Sequence, residues 1–246
     1  MPSPSGTYGH RARIGYTVAA VTTEVFPIDW YKIVPDGVTL MMITLPLGDR
    51  SPEDVKKCND ASHEAAHAFA QSGADLVLLG GVPVNLSRGA DKLDDYLKQL
   101  EDEIGVPVSS SSSAQRNAYK ALGSRKVGTI HPFMPDQHPR HEKYLKEFFG
   151  LEPAGCYAGM SNLKELGKIP VDSALQWARA LKKERPEIDT FNFACPHWRV
   201  IDAIEAIEQE LKVSCMASLQ AIAWESMRKT GVNDKIKGYG RLLSEH

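Results

Sequence analysis

The sequence predicts an α/β protein made of two pseudo-symmetric halves, each a parallel sheet covered by helices. Three observations carry that expectation. Short β-branched runs alternate with longer stretches of helical periodicity, the pattern of βαβ units. Runs such as Ala74–Gly80 are, from Leu76 onward, continuously apolar rather than alternating, as in strands covered on both faces. The later part of the chain also repeats the earlier part. Arg13-Ile14-Gly15 matches Lys126-Val127-Gly128 at an offset of 126 − 13 = 113, and Gly80-Gly81 matches Ala194-Cys195 at 195 − 81 = 114. Leu100–Ile104 resembles Ile207–Leu211 at 207 − 100 = 107, and Val108–Tyr119 resembles Val213–Trp224 at 213 − 108 = 105.

In chain order, the expected strands are Arg13–Val18, Val38–Thr44, Leu76–Gly80, Pro107–Ser110, Lys126–His131, Thr190–Ala194 and Val213–Met216. The expected helices are Pro52–Ser72, Asp91–Glu103, Ala114–Leu122, His141–Phe149, Val171–Glu184, Arg199–Leu211 and Leu219–Thr230. Residues 1–12, rich in Ser, Pro and Gly, read as a flexible tail. Residues 13–122 make up the body of the expected N-terminal half, and 123–224 the C-terminal half. Each half has the size of a small domain.

Composition narrows the function classes. With 246 residues, 42% hydrophobic and 24% charged, the chain is an ordinary globular sequence rather than a disordered one. A formal charge of −2 gives no footprint for nucleic acid and no polybasic membrane patch. The apolar runs are too short to cross a bilayer, and no apolar segment of a signal peptide follows the basic start. The four cysteines, Cys58, Cys156, Cys195 and Cys215, lack CxxC spacing, so neither a disulfide scaffold nor a zinc ribbon is expected. The expectation is a reduced, cytoplasmic protein, with self-association left open.

Open parallel sheets bind ligands beyond the carboxyl ends of their strands. In two such halves, the loops after Val18, Gly81, Ser109, His131, Cys195 and Ser214 are expected to line a cleft between them. Cys195 is the leading candidate for chemistry, because it follows the apolar run Phe191–Ala194 and precedes a helix expected from Arg199. A thiol at a helix N-terminus gains thiolate character. The competing reading is a small buried hydrophobe. His197 could tune that thiol or donate to a carboxylate. In the run Ser109–Ser113, Ser109 and Ser110 lie nearest the strand end, and Ser113 reads as a plain helix cap. His131 ends a strand and could face the cleft.

These residues resemble the aspartate/glutamate racemase superfamily, in its branch of arylmalonate decarboxylases and maleate cis–trans isomerases. The carriers are Gly73–Gly81, Ser87-Arg88-Gly89, Val106-Pro107-Val108 with its serine run, Ala121-Leu122-Gly123, Ser161–Gly167, the set Cys195, Arg199 and Asp202–Ile204, and Gly238–Leu242. The resemblance runs from about Arg13 to the end of the chain. It implies flavodoxin-like halves, with residues 225–246, the terminal helix and Gly238–Leu242 included, returning to join 13–122 in the N-terminal half. It also implies carbon-acid chemistry without cofactor or metal on a small carboxylic acid. Racemases and maleate isomerases of this kind use two cysteines, whereas arylmalonate decarboxylases keep only the second. Cys195 matches the second, and Gly81 stands at the first.

One thiol suits one-sided protonation of an enediolate better than two-base racemisation. Other positions depart from the decarboxylase pattern. Val82-Pro83 stands where those enzymes have Thr-Ser, Pro196 removes an amide donor after the cysteine, and Phe133 stands near their tyrosine. Asn162 matches a carboxylate-binding asparagine of the isomerases, and Thr22 or Thr23 replaces their N-terminal loop asparagine. The resemblance thus implies a decarboxylase of a substituted malonate. The alternatives are cis–trans isomerisation or racemisation of a small dicarboxylate or amino acid derivative, or carboxylate binding without turnover.

One motif points elsewhere. His63-Glu64-Ala65-Ala66-His67 fits the HExxH pattern of zinc peptidases. It lies on an ordinary covering helix, and no third ligand is evident downstream, so no metal is expected. A second histidine group, His131, His138 and His141, falls in a proline-rich connector.

Overall fold

The computed structural model describes residues 7–19, 23–46 and 51–246. Thr22, one of the two threonines singled out above, lies outside the described residues. The described elements run in order β1 (Ala12–Ala19), α1 (Val25–Ile33), β2 (Val38–Leu45), α2 (Pro52–Gln71), β3 (Leu76–Leu79), α3 (Val82–Leu86) and α4 (Leu93–Ile104). They continue with β4 (Val108–Ser110), α5 (Ser111–Leu122), β5 (Lys126–His131), α6 (His138–Lys143), β6 (Glu152–Ala158), α7 (Ser173–Glu184), β7 (Thr190–Phe193), α8 (Ile204–Leu211), β8 (Ser214–Ala217), α9 (Ser218–Lys229) and α10 (Arg241–Glu245). No helix among the described residues is long and apolar enough to cross a membrane.

Two compact units share these elements. The first comprises Val34–Ala114, Ile222–Asp234 and the described part of Met1–Thr22. Its sheet has the order β2-β1-β3-β4, parallel throughout. Leu76, Val77, Leu78 and Leu79 are all fully buried, so β3 is covered on both faces, as its unbroken apolar run predicts. Each such side chain contributes about 1.5–3 kcal/mol by leaving water. Helix α2 starts cleanly because the Ser51 hydroxyl accepts from the Asp54 amide at 3.2 Å, Pro52 fits the first turn, and Glu53 and Asp54 face the positive end of the dipole. It packs close to β1, where a Cβ at Gly15 would sit 2.4 Å from the Phe69 ring.

The second unit comprises Thr23–Ile33, Gln115–Ala221 and Lys235–His246. Its sheet, β6-β5-β7-β8, is again parallel with the same order of strands. Gly128 on β5 repeats the role of Gly15, since a Cβ there would meet Ile188 at 2.5 Å. The terminal segment belongs to this unit from Lys235 onward: the Arg241 amide donates to Glu208 at 2.8 Å and the Gln220 side chain donates to the Tyr239 carbonyl at 2.7 Å. That corrects the expectation that Gly238–Leu242 returns to the N-terminal half.

Both units repeat at the level of single hydrogen bonds. Gly15 pairs with Val77, and Gly128 with Phe191, which supports the offsets of 113 and 114. Glu101 accepts from the Val108 amide at 3.1 Å, and Glu208 from the Cys215 amide at 2.9 Å. The helices before those strands both end on a left-handed residue, Gly105 at φ 69° and Lys212 at φ 53°. Each of these pairs lies 107 apart, as do the starts of α5 and α9 at Ser111 and Ser218 (218 − 111 = 107). The offset of 105 read from the serine run is therefore out of register by two. Repeated serines align equally well at several registers, and the strand pairing Leu79↔Ser110 and Phe193↔Ala217 decides between them.

Candidate active site

Cys195 sits two residues beyond β7, partly exposed, with φ at +83°. Such a backbone conformation costs an L-residue about 1–2 kcal/mol and persists only where the surroundings impose it. They do so here. The Ala194 amide donates to the Ile130 carbonyl at 2.9 Å, and the Ser218 hydroxyl donates to the Phe193 carbonyl at 3.3 Å. The buried indole of Trp198 donates to the Ala194 carbonyl at 3.0 Å and packs against Trp177 and Phe193. The thiol is thereby held on a fixed backbone at the carboxyl end of a sheet.

The other cysteines are differently placed. Cys58 is packed against Leu45 and Val84, and burial raises its pKa. Burial pushes Cys156 up to about 12 and raises Cys215 well above its ordinary value. All three are held as protonated structural thiols, and none of the four cysteines forms a disulfide.

His197 is buried, its ring 5.7 Å from that of Phe26. Desolvation lowers its pKa to about 4, so it is a neutral imidazole at pH 7. The Thr23 hydroxyl donates to the His197 carbonyl at 3.2 Å and lies 3.5 Å from Nδ1. Since that single hydroxyl proton goes to the carbonyl, the long contact is satisfied with Nδ1–H donating, which leaves the lone pair on Nε2. The helix expected from Arg199 begins instead at Ile204, after a 3₁₀ turn at Ile201–Ala203. Cys195 therefore does not lie at a helix N-terminus, and the expected dipole effect on its thiol is absent. The Pro196–Arg199 stretch forms a turn, and Pro196 is partly exposed with no amide proton to offer.

Other expected residues of this unit lie at the ends of β5 and β6. His131 is fully buried, its pKa lowered to about 4 chiefly by desolvation, with lesser contributions from His138 and Arg140. Its ring stacks 6.2 Å from Phe133, which is partly exposed. The loops are tied together by the Ser161 amide donating to the Pro132 carbonyl at 2.7 Å and the Met160 amide donating to Phe133 at 3.1 Å. Asn162 is exposed. Its side-chain oxygen caps a 3₁₀ turn by accepting from the Lys164 amide at 3.0 Å, so its Nδ2 is the group available to a carboxylate.

On the first unit, Gly81 stands two residues beyond β3, the place Cys195 takes beyond β7, and its φ is +84°. A Cβ there would sit 2.4 Å from that of Ala19. Val82 and Pro83 open the short α3, where the proline withholds one amide. The serine run is used internally. Ser109 donates to the buried Glu225 at 2.9 Å. Ser110 accepts from the Ser113 amide at 3.0 Å, so Ser110, not Ser113, caps α5. Sequence reasoning passed over Glu225 and Asn85, whose side chain donates to the Leu79 carbonyl at 3.0 Å and to Ser111 at 3.2 Å. The available signal for Glu225 was a lone charge in the otherwise uncharged stretch 219–227.

The family profile of arylmalonate decarboxylase matches residues 14–243. An arylmalonate decarboxylase from Bordetella bronchiseptica is 26% identical over 221 residues, covering 89% of this chain and 91% of that protein. Among solved structures, a liganded mutant of arylmalonate decarboxylase superposes with a TM-score of 0.82 at 23% identity, covering 96% of this chain and 100% of the other. A Nocardia farcinica maleate cis-trans isomerase mutant with a covalently bound succinylcysteine intermediate superposes at 0.80 with 20% identity, covering 96% and 99%.

Proposed function

The chain belongs to the arylmalonate decarboxylase family, and on that premise we propose that it is a cofactor-independent decarboxylase of a small substituted malonate. Cys195 is the proton donor. The carboxylate-bearing carbon–carbon bond breaks, carbon dioxide leaves, and the electron pair stays behind as an enediolate. The Cys195 thiol transfers its proton to the α-carbon, and the resulting thiolate recovers a proton from solvent. A proton from one thiol arrives on one face, which makes the product a single enantiomer when the substituents differ.

The observation that carries this reading is the pair of matching backbone positions, φ +83° at Cys195 and φ +84° at Gly81, of which only one bears a thiol. The state of His197 supports it further. A nucleophilic thiolate needs a nearby cation, as in cysteine–histidine ion pairs. With a pKa near 4, His197 holds no positive charge at pH 7, so it does not stabilise a thiolate. A protonated thiol is the form an acid catalyst needs. Thr23 positions His197, and the Asn162 amide is the group we assign to a substrate carboxylate. Developing charge on the enediolate calls for fixed donors, usually the largest catalytic contribution.

Proton NMR of a disubstituted malonate in D₂O tests this, with the protein beside Cys195→Ala. Decarboxylation with one-sided deuterium delivery, lost in the variant, is the expected result. Turnover of maleate but not of malonates would replace this reading with isomerisation. Binding of malonate without turnover would replace it with a carboxylate-binding role.

A further inference from the structure

The HExxH motif has a third potential donor beside it, supplied from a different helix. His63 and His67 lie one turn apart on α2, so both imidazoles project from the same face of the helix. Glu103, next to the last residue of α4, reaches that face. Its Oε1 is 3.2 Å from His63 Nε2 and 2.9 Å from His67 Nε2, and the three donor atoms all lie within 4.8 Å of one another. Zinc bonds of roughly 2.0–2.2 Å to nitrogen and oxygen place neighbouring ligand atoms of a tetrahedral site about 3.3 Å apart. Two of the three separations are already within a few tenths of an ångström of that edge. A cation entering there takes one lone pair from each Nε2, whose proton moves to Nδ1, and one from Oε1.

We infer that His63, His67 and Glu103 form a binding site for a divalent transition metal, with zinc the cation that this donor set suits best. Two imidazoles and one carboxylate leave a fourth position for water. The three side chains are 39%, 37% and 41% exposed. A metal in that setting is bathed in solvent rather than enclosed, which suits a tie between two helices and not the dry cavity of a hydrolytic zinc centre. The tie joins α2 to α4 within the first unit, and it is independent of the chemistry assigned to Cys195.

Equilibrium dialysis of the chelator-treated full chain against zinc chloride tests the inference, alongside His63→Ala, His67→Ala, Glu103→Gln, Glu64→Gln and Cys195→Ser. One zinc per chain is expected for the unaltered protein, for Glu64→Gln and for Cys195→Ser. Each ligand variant is expected to bind at least about tenfold more weakly, because outer-shell changes alone cost 10–100-fold. At a zinc concentration about 100 times the dissociation constant, the folding equilibrium constant should rise about 100-fold, read as a higher urea midpoint. The metal-free melts of the variants serve as the control for folding. Absence of zinc binding at micromolar concentration, binding unchanged in the ligand variants, or loss of zinc in Cys195→Ser would each overturn the assignment.

Discussion

The strained cysteine gives the sharpest test of how the scaffold holds its thiol. In an ordinary extended segment, exchanging Ala for Gly costs about 0.5–1 kcal/mol, because glycine has more backbone freedom to lose. At position 195 the sign should reverse. Cys195→Ala keeps a β-carbon at φ +83° and keeps the strain of about 1–2 kcal/mol, whereas Cys195→Gly relieves it. After the glycine penalty, Cys195→Gly should be about 0.5–1 kcal/mol more stable than Cys195→Ala. Position 81 should respond in the opposite direction. Gly81→Ala acquires the same strain and adds a β-carbon 2.4 Å from that of Ala19, so it should lose at least about 2 kcal/mol. Urea unfolding followed by tryptophan fluorescence measures all three against the unaltered protein. If Cys195→Gly unfolds at lower urea than Cys195→Ala by the ordinary amount, the backbone at 195 is not imposed by its surroundings and the argument fails.

Three other outcomes follow from the same contacts. His131 and His197 have pKa values of about 4 in the fold and near 6.5 when unfolded, so the unfolded chain takes up protons first as the pH falls. Stability should be intact above about pH 6.5 and decline down to about pH 4, by up to roughly 3 kcal/mol for each histidine. An unchanged acid slope in the double variant His131→Leu, His197→Phe, measured by urea unfolding across that range, would count against it. Trp198→Phe removes the donor to the buried Ala194 carbonyl, an expected loss of about 1–3 kcal/mol. It should also lower kcat more than it changes KM, since the Cys195 loop loosens; steady-state kinetics would show whether the loss falls on KM instead. Within the serine run, Ser110→Ala should cost about 1 kcal/mol as a lost helix cap. Ser112→Ala should be neutral or stabilising, because its buried hydroxyl has no hydrogen-bond partner among the described residues. Equal melting shifts in these two variants would refute the capping assignment.

Much of the fold was legible because apolar runs covered on both faces leave a strong signal. Lys126–His131 is predicted and observed with identical limits, β2, β3 and β7 differ by one residue at one end, and β1 by one residue at each end. The strand β6 escaped notice for a physical reason. Pro153 and Gly155 interrupt it, and such residues are tolerated at a sheet edge with an irregular register, where β6 lies. Helix α1 was hidden by Pro27 near its start. At the site, the position of Cys195 beyond β7 was readable from strand-end logic. Its φ was not, because no local pattern announces a left-handed cysteine. The serine run is less legible: its place at a strand end marked Ser109 and Ser110 as site candidates, while their side-chain bonds are made within the first unit.

The repeat also explains why a strained residue stands at the candidate site at all. The two units share strand order, left-handed helix ends and a glutamate accepting from a strand amide. They share the left-handed residue two positions beyond the central strand as well. At Gly81 that conformation needs no strain, so the backbone path is a property of the scaffold and does not depend on a thiol. Placing cysteine on the same path in the second unit adds the strain that glycine avoids. A residue that costs stability where glycine fits better is retained for what its side chain does. The asymmetry between positions 81 and 195 therefore supports the proposal that the thiol at 195, among the four in the chain, is the one that transfers the proton.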